Sequence, residues 1–133
     1  QVSSFVVIHV KKTVEDRYVK PFFALRNNGA SREDIKAALN EARDAAEQVL
    51  VLLERIIATT QEQLKLVDPE YIFGTVSWAD VFLFPILRDL QATKSGILDG
   101  SSNSLPWLSA WLQRFAQRPS AVATLEGSFA GSA

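Results

Sequence analysis

Hydrophobic residues recur along the chain at helical spacing, and the two-residue alternation that marks strands is nearly absent. Val7, Val10, Val14, Tyr18, Phe22 and Leu25 share one line of a helix predicted from about Val2 to Arg26. Phe5, Ile8, Val19 and Phe23 make a second apolar strip beside it, leaving a narrow polar sector of His9, Asp16, Arg17, Lys20 and Asn27. An arc that wide is buried on more than one side, against a second domain, a second subunit or a ligand. Pro21 lacks a backbone donor and is expected to bend the helix. Asn27-Asn28-Gly29-Ala30 stops it, and Ser31, with Asp34 three residues on, opens the next.

That second helix carries Ile35, Ala38, Leu39, Ala42, Ala45, Ala46, Val49, Leu52, Leu53, Ile56 and Ile57 on its apolar face. Glu33, Lys36, Arg43 and Glu47 read as its solvated side. Thr59 to Thr75 reads as a looser connection. A third helix, Ser77 to about Ala92, has Trp78, Ala79, Val81, Phe82, Leu83, Phe84, Ile86, Leu87 and Leu90 around nearly its whole circumference. It is therefore expected at the centre, surrounded by the others, with a kink at Pro85. A loop from Thr93 to Ser104 leads to a fourth helix, Pro106 to Arg118, whose face holds Trp107, Leu108, Trp111, Leu112 and Phe115. Pro119 stops it, and Ser120 suits the cap of a last short helix, Ala121–Leu125. All three tryptophans are expected in the core. Phe129 either folds over a pocket or belongs to a flexible small-residue tail. The fold class is all-α: one domain over 1–133, a helical bundle around a buried central helix.

With 133 residues, 47% hydrophobic, the chain can bury a core of its own. A net charge of -1 gives no basic field for a phosphate backbone, so nucleic acid is not an expected partner. Cysteine is absent, which excludes a thiolate nucleophile and Cys-ligated metal within this chain. One histidine, His9, is too little for a usual zinc site, and no metal is expected. It lies seven residues from Asp16, roughly 10 Å along a straight helix, too far for a dyad. The longest apolar run, Val81–Leu87, is far short of the ~20 residues that span a bilayer, so no membrane partner is expected. The chain opens on Gln1 and contains no methionine, which suggests a piece of a larger soluble protein.

One block carries more information. In Tyr71-Ile72-Phe73-Gly74-Thr75-Val76-Ser77-Trp78-Ala79-Asp80, Ser77 and Asp80 have the spacing of a capping box, and Val76 and Val81 that of a hydrophobic staple. A buried helix must satisfy its first N–H groups from its own side chains. This block resembles the signature that opens the central helix of the glutathione transferase C-terminal domain. Leu105-Pro106-Trp107-Leu108-Ser109-Ala110-Trp111-Leu112, followed by Arg118-Pro119-Ser120, is similar to a later block of that family. Phe84-Pro85-Ile86-Leu87-Arg88-Asp89-Leu90 resembles omega-, tau- and glutaredoxin-like members.

The resemblance implies an N-terminal thioredoxin-like domain, absent from this chain, that binds glutathione and supplies the catalytic Tyr, Ser or Cys. No catalytic residue is expected here. Glutathione is implied as co-substrate, along with a homodimer, a cytoplasmic setting and an apolar small-molecule substrate. By resemblance to pi-type transferases, Asp16 of the Glu15-Asp16 pair is implied to hold the glutathione ammonium; an Asp16–Lys20 surface pair is the alternative. The same resemblance gives Tyr18, Phe22 and Arg26 to substrate binding; core packing and a solvated helix end are the alternatives. The implied function is the substrate-selecting domain of a glutathione-dependent transferase or thiol reductase. The alternative is a non-catalytic protein-interaction module, as appended to translation factors or aminoacyl-tRNA synthetases, presenting the strip of Phe5, Ile8, Val19 and Phe23.

Overall fold

A computed structural model describes residues 4–98 and 105–132. Val2 and part of the expected 93–104 loop lie outside the described residues, as does the side chain of Phe5. All regular structure among the described residues is helical. Among the described residues, no helix is long and apolar enough to cross a membrane.

The first helix is continuous but not uniform. Helix α1 (Ser4–Val10) runs into a π-helical segment, Lys11–Val19, and then into α2 (Lys20–Asn27). The widened turn ends where the Lys20 N–H donates to the Glu15 carbonyl, five residues back. Pro21 follows at once, in the first turn of α2. Its ring has no donor and would crowd a carbonyl four residues back, so the looser register beside it relieves an ordinary proline clash. Helix α2 ends in a Schellman motif. Ala30 N–H donates to the Leu25 carbonyl at 3.0 Å, and Gly29 N–H to that of Arg26 at 3.0 Å, with Gly29 at φ +88°.

The expected second helix is two helices, α3 (Arg32–Ala38) and α4 (Asn40–Gln63). Leu39 leaves helical geometry at φ −113°, ψ 16°, and α3 turns to pack on α2. Ser31 caps α3 by accepting from the Asp34 N–H at 3.1 Å. Helix α4 runs beyond the expected end near Thr59. Gln61 reaches out of its last turn and donates to the carbonyls of Tyr71 and Ile72, tying down the connection that follows. The buried line of α4 is Ala46, Leu50, Leu53, Ile57, Thr60 and Gln61, whereas Leu52 faces outward. The core lies where the first helix packs across α4 and α5 (Trp78–Ala92), and α6 (Pro106–Phe115) packs on α5.

Three expectations need correction. The first concerns α5, which is not surrounded. Ala79, Leu83, Phe84, Ile86, Leu87 and Leu90 are buried, but Trp78, Val81 and Phe82 are 51%, 61% and 37% exposed, and Pro85 is exposed with them. These four share one helical face. Pro85 leaves the Val81 carbonyl without its helical donor on the side open to solvent, where water can supply one. The second concerns the strip of Phe5, Ile8, Val19 and Phe23, which is free only in part: Ile8 is 59% exposed. Val19 and Phe23 are fully buried, and Phe129 stacks on the Phe23 ring at 4.9 Å.

Phe129 belongs to a docked tail, α8 (Phe129–Ser132), not a loose end. The Ala130 N–H donates to the Asp89 carboxylate at 2.9 Å and fixes it to α5. The third correction is at α7 (Pro119–Ala123), which starts with Pro119 itself; Arg118 takes the cap position, so Ser120 does not cap it.

Of the tryptophans, Trp111 is fully buried and Trp107 half-buried, stacked on Trp111 at 6.4 Å. Trp78 is the exception, for the reason given above.

Candidate functional site

Two structured regions stand out, and they differ in kind. The first is the start of α5. Asp80 is completely buried, yet every part of its carboxylate is occupied. Oδ2 accepts from the Ser77 N–H at 2.9 Å and the Ser77 hydroxyl at 3.1 Å; Oδ1 accepts from the Ile72 N–H at 3.2 Å and Trp111 Nε1 at 3.0 Å. Ser77 and Asp80 form a capping box. Val76 and Val81 flank it but stay largely exposed, so as a staple they bury little apolar area. With no open coordination and no access, this region does structural work.

The second region is a partly open cavity of about 150 Å³ between α2, α3, the start of α4 and the turn after α5. Its floor is apolar: Tyr18, Phe22, Ile35 and Leu39. Tyr18 is only 3% exposed, and its ring packs 6.1 Å from that of Phe22. The wall opposite is made by Thr93, Lys94 and Ser95. That turn is held from a distance. Arg32 donates to the carbonyls of Lys94 at 2.6 Å and Thr93 at 3.4 Å, and Arg43 Nε donates to that of Ser95 at 3.0 Å. Cations crowd the rim: Arg32, Lys36, Arg43 and Lys94 all line it, and no carboxylate does.

The residues assigned from the resemblance separate in space. Tyr18 and Phe22 line this cavity together. Arg26 lies elsewhere, with its guanidinium carbon 5.0 Å over the Phe23 ring. Asp16 is on the outer surface, where Lys11 and Lys20 each approach its carboxylate to 3.3 Å. Slight burial works to raise its carboxyl, but the two ammoniums outweigh that and hold it below the usual range. A glutathione ammonium at Asp16 has to compete with both lysines.

Arg32, Lys36, Arg43 and the turn at Thr93–Ser95 were not among the residues the sequence singles out. Lys36 and Arg43 read as a solvated face because the break at Leu39 leaves no mark in the apolar spacing. The arginine contacts span more than fifty residues. A signal lay in the chemistry alone, since α3 and the start of α4 supply three cations within one short stretch.

No curated protein or solved structure matches the chain closely enough to be compared with it. A family does match: the one described as Glutathione S-transferase, C-terminal domain, over residues 36–114. The matched stretch takes in the last three residues of α3, all of α4 and α5, the capping box between them and nearly all of α6. It singles out no omega, tau or glutaredoxin-like subclass. Since the match covers more than half of an all-helical chain, this chain belongs to the glutathione S-transferase C-terminal domain family.

Proposed function

We propose that the chain is the substrate-selecting helical domain of a glutathione-dependent transferase or thiol reductase. The observation that carries this reading is the bare apolar stripe of Trp78, Val81, Phe82 and Pro85 on α5. A contiguous exposed apolar face on an otherwise well-packed domain marks a contact surface. The family implies a thioredoxin-like domain as the partner, and that domain covers the stripe in this proposal. It also brings glutathione and the group that activates its thiol.

This chain contributes the co-substrate side. Tyr18 and Phe22 give the cavity an aromatic wall suited to an apolar body, and the Tyr18 hydroxyl can orient one polar group. Homodimerisation and a cytoplasmic setting belong to the same proposal. The interaction-module alternative keeps Ile8 as the exposed described residue of its strip, while Val19 and Phe23 are covered within the chain.

The test is turnover of glutathione with an electrophile, or glutathione–disulfide exchange, by the protein carrying its thioredoxin-like domain. Phe22→Ala should raise KM for the co-substrate several-fold and leave that for glutathione unchanged. Absence of both glutathione binding and turnover contradicts the reading.

A further inference from the structure

We propose that the cavity between α2 and α3 takes a small organic anion built on one aromatic ring, an aryl carboxylate by chemical class, selected by Lys36 and Lys94. The inference rests on the preceding reading of this cavity as a ligand site, but not on glutathione chemistry.

Size sets the first bound. A cavity of about 150 Å³ has room for a single benzene-sized ring over its apolar floor. Phe22, Ile35 and Leu39 supply the apolar contact. The polar end is set by Tyr18. Its ring is buried, while its hydroxyl makes no hydrogen bond among the described residues and stays in reach of solvent. A phenol O–H that opens on the cavity can donate to a ligand oxygen.

Charge sets the second bound. Two of the rim cations are already engaged. Arg32 and Arg43 hold the Thr93–Ser95 carbonyls, and Arg43 also pairs with Asp44 and Glu47, both at 3.2 Å. Lys36 and Lys94 make no ion pair among the described residues. The positive charge that no carboxylate offsets is therefore that of Arg32 and the two lysines, and of these only the lysines are not tied to the Thr93–Ser95 turn. With no lining carboxylate to offset it, the mouth favours an anion and disfavours a cation.

Lys94, like Lys65 after α4, ends its helix in a conformation that does not itself point to a ligand. It sits in the left-handed region at φ +54°, a position that glycine fills without strain. The fold alone would be served as well by a glycine there, so the lysine side chain is separable from stability.

The experiment is calorimetric titration of the full chain with benzoate and with benzamide, its neutral counterpart of the same size, at low salt. Benzoate should bind about ten-fold more tightly than benzamide, the difference one charge-assisted contact provides. Lys36→Gln with Lys94→Gly should lower benzoate affinity at least about ten-fold, leave benzamide unchanged and keep or raise the thermal midpoint. Tyr18→Phe should weaken both ligands, since both present an oxygen acceptor. Equal affinity for the two ligands, or undiminished benzoate binding by the double variant, overturns the anion selectivity and leaves the cavity as a ligand site. Binding of neither, with no change in the amide NMR signals of Tyr18, Ile35 or Ser95, overturns the cavity reading itself.

Discussion

The starts of α5 and α6 are capped by carboxylates from different distances. At α5 the acid is local: Asp80 lies three residues after Ser77 and reaches back to its N–H at 2.9 Å. At α6 it is remote. Leu105 holds the cap position and has no side-chain acceptor, so Glu54, from the middle of α4, accepts from the Leu108 N–H at 2.7 Å and also from the Trp107 N–H. Pro106 needs no partner for a donor it lacks. Both helices obey the same rule, that orphan N–H groups at a buried start must find acceptors. They differ in what else the acid does. Asp80 also takes Ile72 and Trp111, which locks the connection, α5 and α6 into one unit. Glu54 joins only α4 to α6, and it stays half-buried.

The largest expected effect follows from that difference. Asp80→Ala leaves four donors at a buried site without their acceptor, and should cost about 3 kcal/mol or more in urea denaturation. A loss below about 1 kcal/mol, the size of a simple cap, would show that only the Ser77 contacts matter.

A smaller effect, but a distinctive one, is expected at Glu54. Burial pushes its carboxyl above the usual range, against the two N–H groups that pull it down. A folded-state pKa above the unfolded one means stability that is fully present below the unfolded value. It is lost as pH rises through the folded value. Asp89, raised by its burial and pulled down by the Ala130 N–H and nearby Arg88, acts with the same sign. Glu54→Gln keeps an acceptor for α6 but removes the titration. Its stability should fall less than that of the parent chain as pH rises from about 4 through the raised folded-state value. Identical pH slopes would mean that Glu54 is not the group responsible.

The same contrast explains what can be read from the sequence. A Ser and an Asp three residues apart before an apolar run place the start of α5 without knowledge of the rest. Nothing around Glu54 marks it as the cap of a helix more than fifty residues later. The cavity follows the second pattern. Tyr18 and Phe22 stand out as aromatic neighbours on one helix, but their opposite wall depends on Arg32 and Arg43 reaching Thr93–Ser95 after α3 turns away at Leu39. Apolar periodicity likewise shows that α5 is hydrophobic all round. It does not show that Trp78, Val81 and Phe82 stay exposed among the described residues, because an exposed apolar residue and a core one have the same composition.

That last point is where the account is most exposed. If the stripe on α5 is the seat of a thioredoxin-like domain, Trp78 must pass from solvent to an interface when that domain is present. Acrylamide quenching of tryptophan fluorescence reads this directly, with the contribution of Trp78 taken as the difference between the parent protein and its Trp78→Phe variant. The account predicts strong quenching of Trp78 in this chain alone, where it is 51% exposed, and strong protection in the protein that includes the thioredoxin-like domain. Equal quenching of Trp78 in both would contradict it.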